Sequence, residues 1–349
     1  MTDKRVGLIG FGLAGATFHA PLIAATPGLR LSAIVTSNAE RRRKAEREHP
    51  DVRLLSDVDE LWNSASELDL VVVASPNGIH FAHASSALAA GLSVVVDKPF
   101  AANAADGQTL VDEARGRGLM IAPFHNRRWD GDFLTVRRLI DEGRLGEIVR
   151  FESRFERWRV VPKPRWMEPG AVAAAEGMTY DLLSHLIDQA LVLFGPVSHV
   201  YAEADRRRAG VQVDDDAYVA LTHRSGVRSH VKGTIVAGQI GPRFAVYGSR
   251  AAYFKSGVDP QEDMLKAGRR PGEGGWAVEP PALWGTIGEG DAVSPVRTEP
   301  GAYERFYAGV AAALRDEAPP PVDPNDAVAG LEIIEAAYRS AAENRVINL

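Results

Sequence analysis

The chain has 349 residues, of which 45% are hydrophobic and 25% charged, the composition of a folded globular protein with about two domains. Its 40 basic and 46 acidic residues give a formal net charge of −6, which excludes nucleic acid and anionic membrane surfaces as main partners. The absence of cysteine excludes disulfides, thiolate nucleophiles and cysteine-ligated metal sites.

Short β-branched runs alternate with helical stretches from residue 4 to about residue 122, which predicts a doubly wound α/β domain with a parallel sheet. Several runs are apolar throughout, as expected for strands buried on both faces. The predicted strands are Val6–Ile9, Leu31–Val35, Leu70–Ala74, Ser93–Val96 and Met120–Ala122. The predicted helices between them are Ala16–Ala25, Ala39–Glu48, Val58–Trp62, His80–Ala90 and Ala104–Arg117.

A glycine-rich turn follows the first predicted strand directly and precedes a helix. It has the spacing GxGxxG and consists of Gly10, Phe11, Gly12, Leu13, Ala14 and Gly15. The glycines allow a tight turn, close approach of backbone N–H groups to a pyrophosphate, and close packing of helix on strand. A ligand-free glycine turn is the alternative, but the strand–turn–helix context favours a dinucleotide-binding Rossmann domain over residues 1–122.

The end of the second predicted strand carries no carboxylate to hold the ribose hydroxyls of NAD. Hydroxyl, amide and cationic side chains stand there instead, namely Thr36, Ser37, Asn38 and Arg41. Such groups can bind a 2′-phosphate, so NADP is favoured and NAD is the alternative. Part of the basic cluster from residue 41 to residue 44 is expected only to face water.

Two more strand ends are predicted to meet at the carboxyl edge of the sheet, where such folds bind ligands. The first carries the candidate cofactor ligands Ser75, Pro76, Asn77 and His80. The second carries Asp97 and Lys98, followed by Pro99. A lysine between a strand end and a proline is held in place, which suits a group that meets a substrate oxygen, although an ordinary surface lysine is the alternative.

The second half of the chain predicts an α+β domain, residues 123–349, built on a mostly antiparallel open sheet. A short helix is predicted at Arg137–Gly143 and longer ones at Tyr180–Phe194, Ala302–Asp316 and about Asn325–Asn344. The predicted strands are Ile148–Val160, His199–Arg206, Asp216–His223, Arg228–Ile235 and Arg243–Gly248. The glycine- and proline-rich stretch from Ser256 to Gly301 predicts a surface excursion without regular elements.

The helix Tyr180–Phe194 is apolar except for one polar stripe of Asp181, His185 and Asp188. His185 can take and return a proton near neutral pH, and Asp181 can orient its ring. Two alternatives remain: a core histidine satisfied by a carboxylate, and a zinc site, which lacks a clear third ligand.

Other candidates are weaker. His125 is a candidate substrate ligand, and Asn126 and Arg127 are candidate cofactor ligands, because they follow the last strand of the first domain. Arg154 and Trp166 are further candidates for substrate binding. His19 follows the glycine turn by one helical turn and is interpreted as structural rather than catalytic.

Taken together, these motifs resemble the glucose-fructose oxidoreductase/inositol dehydrogenase (Gfo/Idh/MocA) family over essentially the whole chain. The resemblance rests on the glycine fingerprint, the Asp97-Lys98-Pro99 step and the Asp181-x-x-x-His185 helix, in the family's order. The runs Phe18–Ile23, Phe124–Val136, Ser184–Gly195 and Gly257–Pro271 are similar to its NADP-dependent scyllo-inositol dehydrogenase branch. The chain departs from the family's glycine-rich lead-in at Ala171–Gly177, and it has Leu183 and Ser184 where members often have glycine or proline.

The resemblance implies hydride transfer between NADP and a secondary alcohol or ketone of a cyclitol or sugar. In that reading Lys98 stabilises the reacting oxygen, His185 is the acid/base, and Asp181 holds the substrate or His185. A catalytically inactive dinucleotide-binding regulator of the same fold is the alternative. We expect a small polyol substrate, a homodimer or homotetramer, and, because no signal peptide or membrane-spanning run is evident, a cytoplasmic location.

Overall fold

The computed structural model describes residues 2–161 and 171–349. The chain forms two compact units, and each is assembled from three segments. The first unit contains Met1–Asn126, Gln261–Trp276 and Ala302–Val328. The second contains Arg127–Pro260, Ala277–Gly301 and Ala329–Leu349. The first unit therefore includes the whole predicted first domain and two segments from much later in the chain.

The described residues of the first unit contain a parallel sheet of six strands in the order β3-β2-β1-β4-β5-β6. The strands are β1 (Lys4–Ile9), β2 (Leu29–Val35), β3 (Arg53–Leu55), β4 (Leu70–Val73), β5 (Ser93–Val96) and β6 (Ile121–Pro123). Strands β4 and β5 are buried at every position, which explains their continuous valine runs. The predicted Rossmann-type sheet is confirmed.

Helices connect these strands, as the parallel arrangement requires. They are α1 (Ala20–Ala24), α2 (Ala39–Glu48), α3 (Val58–Trp62), α4 (His80–Ala89) and α5 (Ala104–Arg117). The predicted helix at Ala16–Ala25 differs from the structure, because a π turn at Gly15–His19 comes before α1. Single π turns are frequent where a chain builds a functional site.

The later segments of the first unit add two helices, α8 (Gln261–Lys266) and α9 (Glu304–Ala313). Helix α9 places Phe306 edge-on against Phe124, with ring centroids 4.8 Å apart, just after β6. Both side chains are almost completely buried. The core of the first unit therefore depends on residues that lie some 180 positions apart in the chain.

The second unit is built on a mixed, mostly antiparallel sheet, which in the described residues has nine strands in the order β14-β13-β12-β11-β7-β10-β9-β8-β15. The strands are β7 (Ile148–Glu156), β8 (Val197–Asp205), β9 (Asp216–His223), β10 (Arg228–Thr234), β11 (Phe244–Gly248), β12 (Ala252–Lys255), β13 (Gly285–Glu289), β14 (Ala292–Val296) and β15 (Ile347–Asn348). Only β7 and β10 pair in parallel among these described strands. Burial alternates along β9, so one face is covered and the other is open.

The remaining helices are α6 (Gly131–Asp141), α7 (Ser184–Phe194) and α10 (Pro324–Glu343). Helix α7 lies on the covered face of the sheet, where Phe194 packs edge-on against Phe151 of β7. A Cβ atom on Gly233 of β10 would lie 2.4 Å from Leu183 Cδ1, just before α7. The glycine in β10 thus lets the start of this helix approach the sheet.

The prediction of a surface excursion without regular elements between Ser256 and Gly301 was wrong. This segment contains α8 and the hairpin of β13 and β14, which extends the sheet beyond β12. Gly290 at the hairpin turn has a φ of 52°, a conformation that glycine adopts at little cost. Glycine and proline here mark a tight turn and an edge strand rather than an irregular loop. Within the ranges 2–161 and 171–349, no helix has the length and apolarity to cross a membrane.

Candidate functional site

The glycine turn after β1 is shaped by backbone contacts that leave no room for side chains. Gly10 has a φ of 97°, and a Cβ atom there would lie 2.3 Å from Ala74 O. A Cβ atom on Gly15 would lie 2.1 Å from Gly10 O. Gly12 is different, because its Cβ would meet only the guanidinium of Arg41, at 3.7 Å. Gly10 and Gly15 therefore hold the turn, and Gly12 keeps its outer side open, as a diphosphate cradle requires.

The end of β2 presents the predicted adenosine side of this cradle. Thr36 is buried, whereas Ser37, Asn38 and Arg41 are exposed. Asn38 Oδ1 accepts hydrogen bonds from the backbone N–H groups of Glu40 and Arg41, at 3.1 and 3.0 Å, so it caps α2. The cap fixes the first turn of α2, and the first turn carries Arg41 to the glycine loop.

The chain after β4 carries Ser75, Pro76 and Asn77 at the same carboxyl edge of the sheet. His80 is buried, and its two ring nitrogens lie 2.8 Å from Ser75 O and 2.8 Å from Pro99 O. His80, predicted as a cofactor ligand, thus ties the end of β4 to the segment after β5. Its contacts are those of a side chain that holds the edge together.

Lys98 lies directly after β5, and its backbone is fixed by the side chain before it. Asp97 Oδ1 accepts a hydrogen bond from Lys98 N at 2.8 Å, and the Lys98–Pro99 peptide bond is cis. Burial raises the pKa of Asp97, but the imidazole of His19 and the charges of His80 and Lys98 lower it by more. Asp97 is thus a buried carboxylate that is stabilised by its neighbours His19, His80 and Lys98.

The second unit carries Asp181 and His185 on one helical stretch. A π turn at Thr179–Leu183, not predicted from the sequence, precedes α7 and contains Asp181. His185 is 5% exposed, and Asp181 is half-buried. Because the two residues are one turn apart, they share a face of the helix, as predicted.

Asp214 anchors the start of this helical stretch. Its Oδ2 accepts hydrogen bonds from Thr179 N and Thr179 Oγ1 at 2.8 and 2.7 Å, and its Oδ1 accepts one from Tyr338 Oη at 2.6 Å. Burial is the main cause that raises the pKa of Asp214. Gly177, with a φ of 110°, is required here, because a Cβ atom would lie 2.2 Å from Asp214 Oδ1. Sequence reasoning missed Asp214, since no local pattern links it to a helix 35 residues earlier.

A largely buried network of an ion pair and hydrogen bonds holds α7 itself. Arg128 donates to both carboxylate oxygens of Asp188, at 2.6 Å from Nη2 to Oδ1 and 2.9 Å from Nε to Oδ2. Gln189 Nε2 donates to Arg127 O at 2.8 Å, and Gln189 Oε1 accepts from Arg243 Nη2 at 3.0 Å. The network fixes the rotation of α7 and with it the direction in which His185 points.

The other candidates have different surroundings. His125 and Asn126 are buried in the first unit, whereas Arg127 is buried in the second, where it pairs with Asp130 at 3.4 Å. Arg154 alternates with the buried Ser153 along β7, so it lies on the sheet face opposite to α7 and pairs with Glu152. The structure therefore does not bring Arg154 to the side of His185. Trp166 lies outside the described residues.

Comparisons with known proteins cover both units. A model described as oxidoreductase family, NAD-binding Rossmann fold, matches residues 4–125, and one described as oxidoreductase family, C-terminal alpha/beta domain, matches residues 137–349. The chain is 40% identical over 352 residues to the uncharacterized oxidoreductase YdgJ of Escherichia coli, with 100% of both chains covered. It is 34% identical over 349 residues to the scyllo-inositol 2-dehydrogenase (NADP(+)) IolW of Bacillus subtilis, with 99% of this chain and 96% of IolW covered. The solved structure of yvaA from Bacillus subtilis has a TM-score of 0.93 at 34% identity and covers 99% and 98% of the two chains.

Proposed function

The chain belongs to the Gfo/Idh/MocA oxidoreductase family, and from that membership and the two groups of site residues we propose an NADP-dependent dehydrogenase of cyclitols or sugars. The predicted enzyme class, an NAD(P)-dependent dehydrogenase, is confirmed at the level of the family. The cofactor preference, the polyol and the residue roles are the proposal. Residues 162–170, which include Trp166, have no part in it, and neither has Arg154.

The glycine turn supports binding of a dinucleotide. Gly10 and Gly15 leave no space for side chains, whereas the outer side of Gly12 is open. Backbone N–H groups at such a turn can hold a diphosphate, and the following helical turn adds a favourable dipole. Leu13, 65% exposed, lies on the same loop and can cover the diphosphate.

Arg41 supports NADP over NAD. Its guanidinium lies against Gly12, in the position expected for contact with a 2′-phosphate. Two of the next three cations on α2 are partly neutralised, since Arg42 and Lys44 lie 3.8 and 3.9 Å from Glu46 and Glu48. Within the described ranges Arg41 has no such ion pair, and so its charge is available for a phosphate.

Lys98 and His185 supply the remaining chemistry. A bound nicotinamide cofactor would supply the acceptor or donor of the hydride. One ring nitrogen of His185 takes the proton of the substrate hydroxyl and returns it in the reverse direction. The ammonium of Lys98 stabilises the negative charge that grows on the substrate oxygen, and the carboxylate of Asp181 holds a hydroxyl or the His185 ring.

The observation that carries the proposal is the fixed backbone of Lys98 at the same sheet edge as a glycine turn that leaves no room for side chains at Gly10 and Gly15. The name of the relative IolW, with its scyllo-inositol and NADP(+), supports the substrate class and the cofactor. A homodimer or homotetramer and a cytoplasmic location stay predictions.

The proposal is tested by the near-ultraviolet absorbance of the reduced cofactor, with NADP or NAD and a panel of inositols and hexoses. We expect turnover of at least one polyol with a lower KM for NADP than for NAD. Tight NADP binding without turnover of any polyol would support the inactive regulator instead. Failure to bind either cofactor would contradict both functions.

A further inference from the structure

A chain of buried polar groups runs through the first unit from α9 to Lys98. Tyr307 Oη lies 2.6 Å from His19 Nδ1, and His19 Nε2 lies 3.7 Å from Asp97 Oδ2. Asp97 Oδ1 in turn accepts the hydrogen bond from Lys98 N. The side chains of Tyr307 and His19 are 0% exposed. Three distant segments of sequence, residues 19, 97–98 and 307, thus meet at the lysine.

Packing alone does not account for this arrangement. The rings of Phe124 and Phe306 surround Tyr307, with centroids 6.0 and 5.2 Å away, so phenylalanine would fill the same space. Burial of a hydroxyl and an imidazole costs free energy unless both are hydrogen-bonded. The polar atoms are therefore expected to serve the group at the end of the chain, which is Asp97 with Lys98.

The protonation of Tyr307 bears on the direction of its hydrogen bond with His19. Burial, together with the charge of Asp97, raises the pKa of Tyr307 well above its usual value, so its hydroxyl keeps its proton and can donate. If Tyr307 Oη donates to His19 Nδ1, the ring proton of a neutral His19 lies on Nε2, which faces the carboxylate of Asp97. Tyr307 then selects the tautomer in which His19 supports Asp97.

We propose that Tyr307 and His19 are positioning residues for Lys98, an inference that rests on the proposed function. They hold the Asp97 carboxylate, which fixes the backbone of Lys98 at the end of β5 and sets the electrostatic surroundings of its ammonium. Neither residue touches substrate or cofactor in this proposal. Helix α9, more than 200 residues after the lysine, is thereby part of the support of the site.

The variant Tyr307→Phe removes the hydroxyl and keeps the ring. We expect kcat to fall about tenfold, with the KM values for polyol and NADP changed by less than about twofold, because orientation of a catalytic group affects the transition state more than binding. The matched control is Tyr303→Phe, which removes another fully buried tyrosine hydroxyl just before α9 and should leave kcat near wild type. Equal loss of kcat in both variants would contradict the proposal.

Substitution of His19 tests whether the two residues act as one chain. His19→Gln keeps a polar side chain and is expected to retain more activity than His19→Leu. The double variant Tyr307→Phe/His19→Leu should be no slower than His19→Leu alone, since both changes break the same chain. Additive losses would contradict the proposal.

A measurement that needs no turnover separates this inference from the proposed function. The acetylation rate of Lys98 by dilute acetic anhydride is followed by peptide mass spectrometry in the full-length protein. Tyr307→Phe should change the acetylation rate of Lys98 by about twofold or more, because the surroundings of the ammonium change. The acetylation rate of Lys44 in this variant, and that of Lys98 in the Tyr303→Phe control, should stay unchanged. An unchanged Lys98 rate would overturn the inference even if the wild type proves to be a dehydrogenase. A changed rate in a protein without turnover would support the positioning role and contradict only the proposed function.

Discussion

The two units build their site residues in opposite ways. In the first unit the chemical groups stand next to each other in sequence, as in Gly10–Gly15 and in Asp97 with Lys98, and parallel strands carry them to one edge. In the second unit α7 is held by partners far away in sequence, since Arg128 and Asp188 are 60 positions apart and Gln189 and Arg243 are 54 apart. The first arrangement can be recognised as a motif, whereas the second exists only after folding.

The physical reason for this difference is that a strand end in a sheet is already held in place, whereas a helix on a sheet is not. A strand end in a parallel sheet is already fixed by the hydrogen bonds of its neighbours, so short local turns suffice to place a side chain. A helix on an open sheet can rotate and slide, and a buried ion pair restricts both motions. The difference gives four tests, from the largest expected effect to the smallest.

His185→Asn removes the proposed acid/base group of the second unit. We expect kcat to fall about 1000-fold, because a side chain that transfers a proton in the transition state contributes on this scale. The rate of cofactor reduction, followed by its near-ultraviolet absorbance, measures the loss of kcat. The control is His199→Asn, an exposed histidine of β8, which should keep wild-type kcat. Full turnover of the His185→Asn variant would contradict the proposed acid/base role of the second unit.

Lys98→Met removes the proposed ammonium of the first unit. We expect kcat to fall about 300-fold, the scale measured when one donor to a developing oxyanion is lost. The affinity for NADP, followed by fluorescence titration, should change by less than about threefold, because the glycine turn remains. Lys44→Met on α2 serves as the control. A large loss of NADP affinity with little change in kcat would instead make Lys98 a cofactor ligand.

Arg128→Met breaks the buried ion pair with Asp188, whose side chains are 14% and 4% exposed. Loss of this charged partner of a buried carboxylate should lower the free energy of unfolding by about 3 kcal/mol. Urea denaturation measures it. The control lies in the first unit, where the ion pair of Arg53 with Glu67 is 42% and 62% exposed. Arg53→Met should lower the free energy of unfolding by less than about 0.5 kcal/mol. Equal decreases in the two variants would contradict the view that the buried ion pair has a special role in holding α7.

Arg41→Ala tests the adenosine side of the first unit. We expect the KM for NADP to rise about tenfold, with the KM for NAD nearly unchanged, because one charge-assisted contact to a phosphate is lost. The ratio of the two KM values is the measurement. Arg43→Ala, an exposed arginine on the same helix, is the matched control. An unchanged ratio in Arg41→Ala would assign the 2′-phosphate to other residues.

Much of the first unit could be predicted from the sequence. Buried valine runs predicted β4 and β5, and the glycine spacing predicted the turn that the backbone contacts of Gly10 and Gly15 now explain. The helix with Asp181 and His185 was also predicted, because a polar stripe on an apolar helix is a local pattern. Each of these features is determined within about 20 residues of chain.

The supports of the site could not be predicted in the same way. Asp214 and Arg243 reach the helical stretch of Asp181 and His185 from strands and loops that lie far away in sequence, and nothing near them indicates that role. The face on which Arg154 lies depends on strand register, since one residue of shift exchanges the two faces of a sheet. The hairpin of β13 and β14 was missed because its turn glycine and its strand proline are also typical of loops.

The three-segment make-up of the first unit has a consequence for chimeric enzymes. A chimera that takes only residues 1–126 from one relative and the remainder from another would combine His19 and Phe124 with a foreign Phe306 and Tyr307. A graft of a new nucleotide preference should therefore exchange residues 261–276 and 302–328 along with the N-terminal part. Recombination after residue 126 alone would join mismatched halves of one hydrophobic core.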